Sequence, residues 1–415
     1  MRNRFKYAFL FLLMFSGSLL AGGFQINEHG SKAMAMGGAF TALANDPSSL
    51  YFNSAAITRL GGLQFQLGTT LISPSASFRG PSPAIAETKM VDQLFTPIHV
   101  YATYQITNDL YVGFGLNNPF GLGTKWDDNW VGRFITVEAD LKTFSFNPTV
   151  AYKVLDNLSV GVGLQYNIAM VLLTRKVGFT QTAQEANLEL EGSDNGAIGY
   201  TAGLLYEPFD NLALGVQLRS QVDYEFEGTA VTTGHPAALD SRVPKGNIKA
   251  VFGSPMQYTL GLAYKPMAGV TVTADYQAVA WSSYDYLKVD FEDASLTDIS
   301  SPRLYEDTYI LRFGAEYLMS SELALRAGFL IDNNPVTDQH VDPSLPDSDR
   351  LGFSAGIGYQ LTRNMALDVS YLYLRFAERT VTNSEVSATT NGLVPFNGTY
   401  NSTANLFALS FSYTL

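Results

Sequence analysis

The stretch Phe407-Ala408-Leu409-Ser410-Phe411-Ser412-Tyr413-Thr414-Leu415 decides the fold. Phe407, Leu409, Phe411, Tyr413 and Leu415 fall on one side of an extended chain, and Ala408, Ser410, Ser412 and Thr414 on the other. Alternation with period two over this length is a strand with one apolar and one polar face. The same pattern sets Leu351, Phe353, Ala355, Ile357 and Tyr359 against Gly352, Ser354, Gly356, Gly358 and Gln360. It recurs with Leu158, Val160, Val162, Leu164 and Tyr166 against Ser159, Gly161, Gly163, Gln165 and Asn167. The polar face is small, rich in Gly, Ser and Thr. Tyrosines gather near the ends of the apolar faces, where the aromatic girdles of a membrane barrel sit.

Outward from these segments the pattern yields about fourteen strands, an even number as bacterial barrels require. They start near Gly62, Pro97, Leu110, Leu141, Leu158, Gly196, Leu212, Met256, Val270, Asp307, Glu322, Arg350, Met365 and Thr403. Short turns such as Thr107-Asn108-Asp109, Phe209-Asp210-Asn211 and Thr362-Arg363-Asn364 alternate with long connections at 74–96, 118–140, 176–195, 227–255, 292–305, 332–349 and 381–402. Tight periplasmic turns and long outer loops are the asymmetry of an outer-membrane barrel. A soluble sandwich or propeller gives no reason for it. The expected fold is all-β: a transmembrane antiparallel β-barrel with both termini periplasmic, in the outer membrane of a Gram-negative bacterium. Outer-membrane lipids, lipopolysaccharide and the barrel assembly machinery are its expected surroundings, and a monomer its expected state.

The amino terminus agrees with export. Arg2, Arg4 and Lys6 precede an apolar run from Tyr7 to Leu20 that ends at Ala21-Gly22-Gly23. Basic, apolar and small-residue regions in this order make a secretory signal peptide over residues 1–21. The run is short for a membrane anchor, which needs about 20 apolar residues. Only 15% of residues are charged, against about 25% in soluble domains. A net charge of −12 excludes a nucleic-acid partner, and the absence of Cys removes thiolate chemistry. His29, His99, His235 and His340 show no metal-ligand spacing. No local signature of a nucleophile and its base is present. The chain reads as a non-enzyme without metal or cofactor.

Residues 22–60 precede the ladder and do not alternate. Lys32-Ala33-Met34-Ala35-Met36 reads as short helix, and the Pro and Asn positions that follow as turns. A barrel of about fourteen strands has a lumen too wide for wall side chains to fill. A plug at 22–60 inside a barrel at 61–415 meets both needs.

Several stretches resemble the FadL family: Gly23-Phe24-Gln25-Ile26-Asn27-Glu28, Ala44-Asn45-Asp46-Pro47-Ser48, Tyr51-Phe52-Asn53-Ser54-Ala55, Pro119-Phe120-Gly121-Leu122-Gly123-Thr124, Trp281 followed by Leu287-Lys288, Asn334-Pro335-Val336 and Pro346-Asp347-Ser348-Asp349-Arg350. Two positions depart from the family pattern: Asn53-Ser54-Ala55 replaces Asn-Pro-Ala, and Leu415 replaces a terminal aromatic. The resemblance implies transport of long-chain fatty acids or other hydrophobic compounds, aromatic hydrocarbons included. It implies passive diffusion past an N-terminal hatch, here centred on Asn53, Ser54 and Ala55, with lateral release at a kinked third strand. Gly113, Gly115, Asn117, Asn118 and Pro119 stand at that strand, and Gly and Pro disrupt ladder pairing. A general porin or adhesion barrel is the runner-up reading.

Parity places Lys153, Arg219, Asp223, Asp275, Arg312, Glu316, Arg326 and Asp368 on the inward face. It also makes that face apolar at Val171 and Leu173 before Arg175 and Lys176, and again at Leu372, Leu374 and Phe376. Apolar lining where porins are polar favours a greasy ligand. By family position Arg175 or Lys176 and Lys288 are the expected carboxylate-binding cations, although alternation turns Lys288 outward unless a bulge intervenes. Phe120, Leu122, Trp126, Trp130 and Phe134 are candidates for an outer groove, or for the packing of their own loop.

Overall fold

The computed structural model describes residues 22–179, 184–389 and 394–415. The expected signal peptide lies outside the described residues. Fourteen strands close into one antiparallel barrel. They are β1 (Leu63–Arg79), β2 (Ile98–Gln105), β3 (Leu110–Asn117), β4 (Glu138–Leu155), β5 (Leu158–Gly178), β6 (Glu185–Phe209) and β7 (Leu212–Arg219). The remainder are β8 (Gln257–Met267), β9 (Val270–Val279), β10 (Thr308–Leu318), β11 (Leu323–Asp332), β12 (Arg350–Gln360), β13 (Met365–Phe376) and β14 (Gly398–Thr414). Each pairs with its neighbours in sequence, and β1 pairs with both β2 and β14, which closes the sheet. Closure is what a lipid environment demands, because unsatisfied amides there cost several kcal/mol.

Alternation sets the two faces. Leu67, Val162, Leu260, Phe353 and Phe407 are exposed on the outer side, while Thr70, Thr149, Thr201, Ser354 and Ser410 are buried inside. Among the described residues no helix is long and apolar enough to cross a membrane.

The expected strand starts fall within one residue of the observed ones except at β4, β6 and β14. The largest miss is at β6, where an extra residue at Asn195-Gly196 shifts the register against β5. Such a bulge flips the faces beyond it, so Leu188 and Leu190 turn inward. The long connection expected at 227–255 is largely strand as well: Val222–Thr233 pairs with Gly246–Ser254 and with the outer part of β6. Ser220 and Gln221 interrupt the chain between β7 and this extension, and the parity changes there. Tyr224 and Phe226 are buried, and Asp223 is exposed rather than inward.

Residues 29–60 cross the lumen and meet the wall strand by strand. Helix α1 (Ser31–Ala35) rests on β13 and β14, where Ser31 Oγ meets Ser370 Oγ at 2.8 Å and Ser410 Oγ accepts the Ser31 amide. Gly37 donates to Ser354 of β12, and Asp275 of β9 accepts the amides of Phe40 and Thr41. Helix α2 (Ser49–Phe52) leads into a 3-10 turn (Ser54–Arg59) against β5 and β6. The small inward face of the wall exists for this contact. A Cβ on Gly161 would stand 2.5 Å from the Ser54 carbonyl, and one on Gly328 only 2.0 Å from the Gly37 nitrogen.

Candidate ligand-binding site

Above α1, toward the outer loops, an apolar cavity of about 450 Å³ remains open. β13 contributes Leu372, Leu374 and Phe376, β11 adds Leu330, and β14 adds Ala404 and Leu406. Phe24, Ile26 and Met34 close it from the N-terminal side. Its volume falls within the range of about 300–1,000 Å³ typical of small-molecule sites. Glu28, Asp140, Lys142 and Arg312 also line it, and three further charged groups at its edge hold one another. Asp347 accepts the Gly23 amide at 3.0 Å and the Arg350 guanidinium at 2.8 Å, while Arg350 donates to the Gly23 carbonyl and lies 3.6 Å from Asp332. The Asp347-Ser348-Asp349-Arg350 stretch thus clamps the start of the N-terminal segment to the barrel rim.

Phe24 is enclosed by aromatic rings. Its centroid lies 5.0 Å from Trp281, 5.3 Å from Phe252 and 6.2 Å from both Phe120 and Tyr284. Gly23 sits at φ +66, and a Cβ there would meet the Trp281 ring at 2.5 Å, so glycine is needed for the turn into this box. Beyond Phe24 a smaller cavity of about 100 Å³ is lined by Val171, Leu173, Leu190, Ile248 and Val289. Phe24, Leu122, Leu141 and Leu345 face both spaces. Phe24 is therefore part of the partition between them.

The main cavity also reaches a break in the wall. β3 ends at Asn117, and three residues, Asn118-Pro119-Phe120, oppose two on β4 before pairing resumes at Gly121–Lys125. On the β2 side that segment has no ladder among the described residues. Contact is reduced to Ile98 N donating to Asn118 Oδ1 at 2.8 Å and Val91 N donating to Lys125 O at 2.8 Å. Between these points the Phe95 ring occupies the place where a Cβ on Gly123 would be. From inside, Ile26 N donates to Pro119 O at 3.0 Å and Gly121 N to Phe24 O at 3.1 Å. The first described residues thus lie along the inner side of the gap.

The site residues expected from sequence divide accordingly. Leu372, Leu374 and Phe376 line the larger cavity, and Val171 and Leu173 the smaller. Arg175 shares the face of Leu173 but lines neither. Lys176 is engaged by Asp128 at 3.2 Å and Asn187 at 2.5 Å. Lys288 is exposed beside Tyr286, because its strand (Tyr286–Phe291) keeps an unbroken register and no bulge turns it in. Gly113 and Gly115 lie in intact ladder, below the break, where they admit Leu50 and Tyr101 at close range. Asn117 is buried at the end of that ladder, so the interruption is confined to Asn118, Pro119 and Phe120. Asn53 donates to the Thr41 and Leu204 carbonyls, the Ser54 hydroxyl donates to the Gly161 carbonyl, and Ala55 is fully buried. Phe120 and Leu122 reach the cavity. Trp126 and Trp130 instead stack 4.3 Å apart in the core of the outer loops, each with its indole N–H on a backbone carbonyl, and Phe134 packs under Arg133.

Sequence reasoning missed Phe24, Phe95, Leu330 and the Asp332–Arg350 pair. Leu330 and Asp332 follow from Arg326 by parity; nothing local marks Phe95. The structure also brings a Ser–His pair together, His99 Nε2 and Ser410 Oγ at 2.9 Å. Both are buried, and neither lines the two apolar cavities. Among the described residues no cluster is placed to hold a metal ion.

A closed barrel of fourteen strands with a greasy internal cavity is the architecture of an outer-membrane channel for hydrophobic compounds. The chain matches, over residues 12–415, the family described as "Outer membrane protein transport protein (OMPP1/FadL/TodX)", and it belongs to that family. Members of this family are outer-membrane transport channels for hydrophobic compounds, not enzymes. It is 29% identical to the "47 kDa outer membrane protein" of Pasteurella multocida, over 97% of this chain and 96% of the relative. It is 24% identical to a "Long-chain fatty acid transport protein" of Escherichia coli, over 88% and 90%. The crystal structure of a Pseudomonas aeruginosa FadL homologue superposes with a TM-score of 0.83 at 20% identity, covering 95% of this chain and 100% of that one.

Proposed function

We propose that this protein carries hydrophobic molecules, long-chain fatty acids foremost, across the outer membrane by passive diffusion with lateral release. Ligand enters the small outer cavity, passes Phe24 into the larger one, displaces residues 22–28 and leaves through the wall break beside Asn118-Pro119-Phe120. Residues 29–60 remain in place as the plug. One observation carries this reading: an aliphatic cavity runs from the outer loops to a gap in the wall while the lumen beneath it is filled. A hydrophobic solute gains nothing from entering water, so a sideways exit into lipid is the favourable one. The filled lumen disfavours a general porin. A relative named for long-chain fatty acid transport supports the substrate class; aromatic hydrocarbons fit the same cavity and form the second reading.

The chain contains no Cys, so Phe95→Cys and Gly123→Cys introduce a single bridge across the gap. Oxidation should abolish oleate uptake by cells and leave oleate binding to purified protein intact. Undiminished uptake by the bridged protein would overturn the lateral route. Competing uptake of oleate and toluene through the reduced protein ranks the two substrate classes.

A further inference from the structure

Where residues 22–28 begin, the edge of the large cavity holds more negative than positive charge. Glu28, Asp332 and Asp347 line it together with Arg312 and Arg350. Arg350 is shared, lying 2.8 Å from Asp347 and 3.6 Å from Asp332. Arg312 is shared as well: Glu28 and Asp332 feel its charge, and so does Asp275, its partner across the β9–β10 ladder. Asp349 adds negative potential at Asp332 and Asp347, tempered by Arg379. Around the start of the segment, carboxylates outnumber the guanidinium groups that serve them.

These acids are not equally served. Asp347 accepts the Gly23 and Ser348 amides and the Arg350 guanidinium, Asp275 accepts the Phe40 and Thr41 amides, and Glu28 accepts the Asn27 amide. Asp332, at the end of β11, is buried, and Arg350 stands too far from it for a hydrogen bond. Its Oδ1 has no partner. A donor turned to this carboxylate is the backbone nitrogen of Gly22. Position 22 admits only glycine, because a Cβ there would stand 2.4 Å from Asp332 Oδ1. A buried carboxylate is costly without its counter-charge, and an amide N–H offers a dipole rather than a charge. The sequence supplies a cation at that same nitrogen, since residues 1–21 read as a signal peptide that ends at Ala21.

We infer that cleavage between Ala21 and Gly22 turns the Gly22 nitrogen into an α-ammonium that pairs with Asp332 and fastens residues 22–28 across the cavity. A peptidase of the export route adds water across the bond: the hydroxyl goes to the Ala21 carbonyl carbon and a proton to the Gly22 nitrogen. The acid so formed ionises and the amine takes up that proton, which leaves an ammonium beside the Asp332 carboxylate. An ammonium has three donors, enough to fill Oδ1 as well as its present neighbour oxygen. Processing thus adds the cation that the cluster lacks, and the uncleaved chain is without it. The inference rests on residues 1–21 being a cleaved leader, not on what the barrel carries.

Protein purified from outer membranes is tested in two steps. Mass spectrometry of its first proteolytic peptide should show a chain that starts at Gly22; any other first residue removes the leader reading and the pairing with it. The α-amine is then acetylated in brief pulses from about pH 6 to about pH 10, either side of its ordinary value near 8, in folded and in urea-unfolded protein. Burial alone lowers the pKa of an amine, whereas a carboxylate partner raises it, so the direction separates an ion pair from mere shielding. The folded amine should titrate at least about one unit above the unfolded one and react about tenfold more slowly at neutral pH. Asp332→Asn should bring the titration down by about one unit or more. An unchanged titration in the folded variant would overturn the assignment to Asp332. A wild-type amine that titrates at or below its unfolded value would overturn the pairing whether or not the variant folds.

Discussion

Residues 29–60 and residues 22–28 lie inside the same barrel, yet they are held by different physics. The longer part is fastened by buried polar groups. Lys32 meets Glu316 at 3.6 Å, Arg326 binds Glu316 at 2.7 Å and Asp368 at 2.5 Å, and the backbone sits directly on wall glycines such as Gly161 and Gly328. The shorter part lies across an open cavity. Its anchors are Phe24 in its aromatic box, the Asp347–Arg350 clamp, and two backbone hydrogen bonds to Pro119 and Gly121. Burial against close-packed wall makes displacement expensive, whereas a segment bordered by empty space on one side forfeits few contacts when it moves. On the proposed route, the contrast makes one part a fixture and the other the piece a ligand moves.

Deletion tests this division most strongly. Removing residues 22–60 should raise single-channel conductance in planar bilayers to that of an open pore. Removing only 22–28 should leave conductance near that of the intact protein while speeding ligand exchange. Equal conductance in the two deletions would break the distinction.

Next in size is the charge cluster under α1. Arg326→Met leaves Glu316 and Asp368 buried with one partner fewer, and such a loss costs about 3–5 kcal/mol. Arg350→Met at the rim should cost less, about 1–3 kcal/mol, because Asp347 keeps the amides of Gly23 and Ser348 as donors. Unfolding midpoints in detergent order the two variants; a reversed order would mean that the rim, not the lumen, fastens the N-terminal segment.

Phe24→Ala should have a smaller effect on unfolding than an aromatic truncation in a packed core, which costs about 3–5 kcal/mol. Its main consequence should be kinetic: the two cavities merge, and the dissociation rate of a bound fatty acid rises in stopped-flow displacement. An unchanged rate would show that Phe24 does not partition the path.

The smallest effect is expected at Arg175. It lines neither apolar cavity, so Arg175→Ala should change fatty-acid affinity by less than the roughly tenfold that corresponds to 1.4 kcal/mol. Calorimetric titration with the acid and its methyl ester checks this. A larger loss confined to the acid would restore Arg175 as the head-group cation.

The strand ladder was legible from residues alone, because alternation has the same period as the pleat and each tight turn resets it. Leu351–Gln360 and Phe407–Leu415 carry their faces, their register and even their membrane side in the local pattern. Leu372, Leu374 and Phe376 were legible for the same reason, as a face that turns apolar where a porin would stay polar. At Asn195-Gly196 and at Ser220-Gln221 the period breaks, and a slip of one residue reverses every face beyond it. The outer half of β6 and the inward Tyr224 and Phe226 were therefore hidden, and Asp223 was placed on the wrong side.

Sequence by itself thus determined the class of fold, the number of strands, the inward charges of the lower barrel and the two apolar stretches. Those properties are periodic or compositional, and each strand reports them independently. Only tertiary structure decided that the two stretches line separate cavities, that Phe24 stands between them, and that the ladder breaks at Asn118 rather than at Gly113 or Gly115. It also decided that Arg219, Asp275 and Arg312, from three different strands, come together beneath the large cavity. These are distances between residues far apart along the chain, set by barrel closure and by the path of residues 22–60 through the lumen, and no local pattern encodes them.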